Sequence, residues 1–320
     1  MKRAFIFPGQ GSQFIGMGRE LAETFAEARD VFEQVNDALG LDLTKIMWEG
    51  PDTDLNLTEN TQPALMAVSL AVVNILRKQG GFRLNEKAEF VAGHSLGEYS
   101  ALTAARSFTV ADTARLLKLR GQAMQRAVPV GKGAMAAILG MDFDAVNALA
   151  KESAATNTNG DSVCEAANDN APGQVVVSGH TAAVESFVAL ASSRGAKRAI
   201  LLPVSAPFHC CLMAPAAAEM GKALAQVVIQ PPMMQVVANV SAKGEDDPNR
   251  IRQLLVDQII GRVRWRESVL WMAAQGVTEV IELGAGKVLS GLNKRIDANL
   301  VSMNAGTPAE IEALIKHLQG

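Results

Sequence analysis

Short apolar runs alternate with longer stretches whose apolar positions recur every three or four residues, and this rhythm carries through most of the chain. Runs of the first kind predict strands and stretches of the second kind helices. Residues 4–7 predict a first strand, 17–36 a helix, and 63–78 a long helix that is apolar on most sides and therefore buried. Residues 89–93 predict a short strand running directly into a helix at 96–105, and 110–127 another helix, closed by Pro129 and Gly131. Later come a strand at 236–239, helices at 251–259 and 267–275, a strand at 279–283, and helices at 287–296 and 308–318. Strands regularly separated by helices predict an α/β fold on a parallel sheet.

Between them the rhythm changes. Strand 133–139, helix 143–153, strands 163–168 and 174–178, helix 182–193 and strand 198–202 follow the order β-α-β-β-α-β of a split ferredoxin-like unit. The expected organisation is a large domain, residues 1–131 and 204–320, interrupted by a small inserted subdomain, residues 132–203. Its polar loop, residues 157–161, is expected to be mobile.

Composition narrows the function classes. A length of 320 residues with 48% hydrophobic side chains supports a large core. A net charge of −3 and only 5% aromatic residues argue against nucleic-acid binding. No apolar run reaches the roughly 18 residues that cross a bilayer, so no membrane association is expected. The basic start, Lys2-Arg3, leads into an apolar stretch that stops at Pro8, and it reads as a strand and not a signal segment. Three cysteines, Cys164, Cys210 and Cys211, make neither a disulfide framework nor a CxxC pair and fit a reducing cytoplasm. The histidines His94, His180, His209 and His317 lack metal-site spacing, so no metal is expected.

Gly93-His94-Ser95-Leu96-Gly97 matches GxSxG, in which a serine sits on a sharp strand-to-helix turn. The motif alone is weak, but a predicted strand precedes it and a predicted helix follows, directing N–H groups at the serine. A serine hydroxyl needs a neighbouring base to act at neutral pH. His94 adjoins Ser95 but points elsewhere across a tight turn; His180 opens a helix and serves as a cap; His317 belongs to a surface helix. His209 remains, in a proline-stiffened loop (Pro203, Pro207) after a strand, where catalytic residues gather. Cys210 and Cys211 beside it are expected to be inert. No acid stands out to orient the histidine, and a backbone carbonyl can fix the same tautomer.

Phe7-Pro8-Gly9-Gln10-Gly11-Ser12-Gln13, Thr61-Gln62-Pro63-Ala64, the Ser95 motif with Glu98-Tyr99, Pro207-Phe208-His209 and Gly284-Ala285-Gly286-Lys287-Val288-Leu289 together resemble the malonyl-CoA:acyl carrier protein transacylase family, in its order and over almost the full length. The resemblance implies an α/β-hydrolase-like core with a ferredoxin-like insert. It implies Ser95 as nucleophile, His209 as base, the N–H groups of Gln10 and Leu96 as oxyanion hole, a main-chain carbonyl near Gln258 orienting the imidazole, and Arg120 binding the malonyl carboxylate. Ala285 stands where the family usually shows proline, which affects loop stiffness only. Phe208 resembles the malonyl-selective pattern.

The residues support the Arg120 role separately. Thr113, Leu116, Leu117, Arg120 and Met124 share one helical stripe, and an arginine on an apolar stripe needs a partner. A planar guanidinium grips a carboxylate through two parallel bonds, which suits malonyl and not acetyl. Neither Gly9-Gln10-Gly11-Ser12 nor Gly284-Ala285-Gly286-Lys287 has P-loop spacing. The expected reaction is ping-pong transfer of malonyl from malonyl-CoA through a Ser95 ester to acyl carrier protein, by a monomer without bound cofactor. Carrier proteins of this type are acidic, so Arg262, Arg264, Arg266, Lys287, Lys294 and Arg295 are candidate docking residues. The alternatives are a serine esterase or thioesterase on the same elbow, and a non-catalytic carrier-docking module.

Overall fold

The computed structural model describes residues 1–156, 162–204 and 206–320; the polar loop at 157–161 lies outside the described residues. Its strands are β1 (Lys2–Phe7), β2 (Phe90–Gly93), β3 (Gly133–Leu139), β4 (Cys164–Ala171), β5 (Gln174–His180), β6 (Arg198–Leu201), β7 (Gln235–Val237), β8 (Gly244–Glu245), β9 (Val277–Leu283) and β10 (Val301–Ala305). One sheet runs β10-β9-β1-β2-β7-β8, parallel except for the β7–β8 pair. In its middle Phe5 lies opposite Val91 of β2 and Ile281 of β9.

Covering a parallel sheet on both faces demands a continuous apolar strand, and Ala4, Phe5, Ile6 and Phe7 are all fully buried. Alternate residues serve different layers. Phe5 and Phe7 belong to one buried cluster with residues of helices Ala26–Leu39, Thr58–Gln79 and Val110–Arg126, while Ala4 and Ile6 belong to another with Trp265, Val269 and Met272 of helix Trp265–Ala274. The fold is therefore mixed α/β around a parallel sheet.

The second sheet, β4-β5-β3-β6, is antiparallel throughout. Ala136 and Ile138 face Val146 and Phe187 of helices Phe143–Thr156 and Thr181–Ser193. Met135 and Val176 join the core of the large sheet instead. The two sheets are stitched at Asn168 and Val263, which form a bridge, with Asp169 N–H donating to Val263 O at 2.9 Å. Register shifts at Ala166/Asn168 and Asp169/Ala171 mark bulges in β4 at this point.

Four expectations need correction. The helix expected at 17–36 is two helices, Arg19–Thr24 and Ala26–Leu39, because Phe25 adopts an extended conformation (φ −121°, ψ 125°). No glycine or proline announces the break; Arg29 Nη1 donates to the freed Ala22 carbonyl at 2.6 Å. The buried helix starts a turn early, at Thr58, and contains Pro63. Helices Leu43–Glu49, Asp52–Leu55 and Ala214–Ala225 were not expected, the last because its inward face (Ala216, Ala217, Met220, Leu224) is largely alanine. The edge strand β10 pairs with β9 alone and mixes polar with apolar residues. Among the described residues no helix is long and apolar enough to cross a membrane.

Candidate active site

β2 ends at Gly93 and helix Leu96–Ala104 begins at Leu96, leaving Ser95 on the corner with φ 53° and ψ −109°. Close approach dictates the flanking glycines. A Cβ on Gly93 would lie 1.9 Å from the Gly97 carbonyl carbon, and one on Gly97 would lie 2.3 Å from Phe7 O. A side chain at 93 would force the helix start away from the strand end, and one at 97 would push the elbow off β1. The Asn239 side chain, just past β7, clamps the corner: its Oδ1 accepts from Ser95 N–H at 2.7 Å and its Nδ2 donates to Gly93 O at 2.7 Å.

His209 reaches the serine from a loop 114 residues away in sequence, with its Nε2 2.8 Å from Ser95 Oγ. Its backbone is also left-handed, at φ 60°. Nδ1 lies 2.9 Å from Gln258 O, so the N–H sits on Nδ1 and the lone pair of Nε2 faces the hydroxyl. Burial, then the nearby Arg120 charge, push the imidazole down to about 3. It is a neutral acceptor at neutral pH.

Arg120 is 1% exposed. Its Nη2 donates to Ser95 Oγ at 3.0 Å and to Gln258 Oε1 at 2.8 Å, and Nη1 donates to Gln62 Oε1 at 2.9 Å. The Tyr99 ring lies 5.7 Å from the guanidinium carbon. None of these partners is a carboxylate, so a buried cation beside Ser95 is held by neutral oxygens and remains available to an anionic ligand. The buried acid Glu98 acts on Arg120 by its charge but is joined to it by hydrogen bonds through Gln258, whose Nε2 donates to Glu98 Oε2 at 2.8 Å. Burial raises the Glu98 carboxyl to about 7.

Gln10, Leu96, Gln62, Ser95, Arg120 and His209 border a cleft of about 270 Å³ whose far wall is Met135, Val176 and the asparagines Asn168 and Asn170 from the small sheet. Among the described residues no acceptor bonds the backbone N–H of Gln10 or Leu96, which leaves both donors for a ligand. Gly9 brings Gln10 in, since a Cβ there would lie 2.7 Å from His94 O. A larger cleft of about 340 Å³, bordered by Asp30, Arg77, Arg83 and Arg106, shares no residue with this one and holds no nucleophile paired to a base.

The remaining sequence candidates fall elsewhere. His94 points away from the hydroxyl, its Nε2 bonding Asn170 Oδ1 at 2.8 Å. His180 caps no helix through its side chain; its Nδ1 accepts from Val163 N–H at 3.1 Å. His317 sits 2.8 Å from Glu279. Burial pushes the thiols of Cys164, Cys210 and Cys211 up to about 12, 11 and 12, away from thiolate chemistry. Arg262 and Arg264 pair with Glu267, and Arg266 with Asp169, so these three charges are largely spent internally. Among the described residues no three His, Cys, Asp or Glu side chains converge to hold a metal ion. Sequence reasoning missed Glu98 and Asn239; the one available signal was a carboxylate in an otherwise apolar helix.

Comparison with known proteins shows the family. A family model described as acyl transferase domain matches residues 4–297. The chain is 45% identical over 98% of its length, and 98% of the relative's, to the malonyl CoA-acyl carrier protein transacylase of Escherichia coli K12. It superposes on the acyl-carrier-protein-S-malonyltransferase structure of Bartonella henselae with a TM-score of 0.96, 52% identity and full coverage of both chains. It also matches a malonyl-transacylase solved in complex with a type II PKS acyl-carrier protein, at a TM-score of 0.93 and 40% identity, over 99% of this chain and 100% of that one.

Proposed function

The chain belongs to the acyl transferase family, and we propose that it transfers a malonyl group from malonyl-CoA to the phosphopantetheine thiol of an acyl carrier protein, in the service of fatty acid synthesis. One observation carries the reading: a buried arginine and a neutral imidazole converge on one serine oxygen, at 3.0 and 2.8 Å. The imidazole makes that oxygen a nucleophile, and the guanidinium selects a substrate with a free carboxylate. Relatives named for this activity match over nearly the whole chain.

In the first half-reaction His209 Nε2 takes the Ser95 proton while Oγ attacks the thioester carbonyl. The oxyanion falls to the N–H groups of Gln10 and Leu96. Collapse breaks the C–S bond, and the imidazolium returns its proton to the departing coenzyme A thiolate. In the second, the carrier thiol gives its proton to His209, attacks the ester, and Ser95 recovers the proton. Every bond change uses serine, imidazole and thioester, so the cycle needs no metal or bound cofactor.

Arg120 does more than grip. Its charge is one cause of the depressed His209 basicity. A substrate carboxylate paired with Arg120 cancels that charge, so malonyl binding makes the base stronger. The Gln258 carbonyl, which carries no formal charge, orients the ring without anchoring an imidazolium, which favours proton return.

In this reading the large sheet and its helices form an α/β-hydrolase-like core, residues 1–131 and 204–320. Residues 132–203 form a ferredoxin-like insert that walls the cleft, and the protein works as a cytoplasmic monomer. The test is chemical. Incubation with labelled malonyl-CoA is expected to add one malonyl mass to the peptide containing Ser95, and added carrier protein to remove it. A label on a cysteine, or one that only water discharges, would falsify the assignment.

A further inference from the structure

Glu98 is 2% exposed and bonds neither Ser95 Oγ nor His209. Its Oε2 accepts from two groups: Asn239 N–H at 2.9 Å and Gln258 Nε2 at 2.8 Å. Both of those residues hold catalytic parts. Asn239 Oδ1 takes the Ser95 N–H. Gln258 faces the reaction twice, its main-chain oxygen toward His209 Nδ1 at 2.9 Å and its Oε1 toward Arg120 Nη2 at 2.8 Å.

We propose that Glu98 is a positioning residue which, by fixing the Gln258 amide, sets both the aim of the His209 base and the pose of the Arg120 guanidinium. The inference rests on the transferase reading above.

A glutamine amide has two nearly isosteric ends, and only its surroundings decide which end faces which way. Here Arg120, a pure donor, requires the oxygen, and Glu98 Oε2 requires the nitrogen. The second Nε2 hydrogen goes to Ser95 O at 3.0 Å. Removing Glu98 deletes the stronger acceptor of Nε2 and strands the buried Asn239 N–H as well. Nε2 then keeps only Ser95 O and the long 3.4 Å contact to Asn239 Oδ1, so the amide is held less firmly, and each excursion that turns its nitrogen toward Arg120 repels the guanidinium from its place beside Ser95. The same residue's carbonyl shifts under the imidazole. A single loss therefore affects two functions that share no direct contact with Glu98: general-base catalysis, common to every acyl group, and carboxylate selection, specific to malonyl.

The experiment compares the unaltered protein with Glu98→Ala, Glu98→Gln and Glu98→Asp. It measures single-turnover kcat/KM for Ser95 acylation by malonyl-CoA and by acetyl-CoA, together with thermal melting. Glu98→Ala is expected to slow acetyl acylation about tenfold and malonyl acylation about a hundredfold, so the malonyl-to-acetyl ratio falls about tenfold. Glu98→Gln, whose amide oxygen can accept the same two N–H groups, is expected to restore both rates and the ratio to within about threefold. Glu98→Asp keeps the charge but falls one methylene short, and should resemble Glu98→Ala. A ratio within twofold of the unaltered protein in Glu98→Ala overturns the proposal whatever happens to melting, because fold support alone does not change selectivity. Equal impairment in Glu98→Gln and Glu98→Ala also overturns it, by making charge and not placement the requirement. If Glu98→Ala fails to fold, the contrast between Glu98→Gln and Glu98→Asp decides. Absence of any Ser95 ester in the unaltered protein is a different failure, that of the underlying reading.

Discussion

The two sheets are built to opposite rules. The small antiparallel sheet buries Ile138 and Val177 against Val146, Val184 and Phe187 of its two helices, and among its described residues the one buried charge, Asp169, pairs with Arg266. The parallel sheet buries Gln62, Glu98, Arg120, Asn239 and Gln258 beside the ends of β1, β2 and β7. Backbone strain divides the same way. The non-glycine residues with positive φ among the described residues are Ser95, Arg106, His209 and Ala242, all outside the small sheet, and two of them are the proposed nucleophile and its proposed base. One region is thus stabilised by apolar packing, and the other holds polar groups against their desolvation so that they meet at one oxygen. The small sheet lines one side of the cleft, and the large one carries the proposed catalytic groups.

That contrast predicts that stability and activity separate by region. Phe187, on helix Thr181–Ser193, is fully buried against the small sheet, and Phe187→Ala is expected to lower stability by about 3–5 kcal/mol. Urea denaturation measures the loss, while acylation per folded molecule, by active-site labelling, should stay within about twofold of the unaltered protein. A large loss of chemistry in a folded variant would show that the two sheets are not independent. Arg120→Ala makes the reciprocal case. Malonyl acylation should fall by two to three orders of magnitude, about 3–4 kcal/mol, with acetyl acylation reduced about tenfold or less. Equal losses for the two acyl groups would remove Arg120 from carboxylate recognition and reduce it to a structural cation.

The regions also differ in how legible they were. The small sheet's element order follows from apolar periodicity, because its helices each bury one face against the sheet, although β3 and β5 also turn Met135 and Val176 into the core of the large sheet. The elbow was readable because its glycines are forced by contacts under 3 Å, which leaves a spacing in the sequence. His209 was reached by eliminating the other histidines. Arg120 was visible as a charge on an apolar stripe. Glu98 and Asn239 were not, since hydrophobic patterning records which face is buried but not which polar side chain a buried face turns inward. The break at Phe25 was hidden for a related reason: the apolar period continues across it, and only the extended backbone of one residue ends the helix.

The smallest expected effect tests the polar region most directly. An ordinary exposed imidazole is half protonated near pH 6.5, and at pH 5 only about 3% of it is neutral, so a reaction needing it as base slows about 30-fold. His209 is held down to about 3 by burial and by Arg120. The sign follows from where the proton binds. The folded protein resists protonation between about 3 and 6.5, so the base stays competent as pH falls through that window. Acetyl-CoA is the right probe, because its acyl group brings no carboxylate to cancel the Arg120 charge. Glu98 takes up a proton near pH 7, yet its Oε2 can accept from Asn239 and Gln258 in either form. Single-turnover kcat/KM for acetyl acylation should therefore change less than about threefold between pH 8 and 5. A thirtyfold fall centred near 6.5 would mean that the imidazole is far more hydrated than its packing indicates. The site would then be as permeable to water as an esterase, and the large sheet's polar cluster would lose its claim to be a dry one.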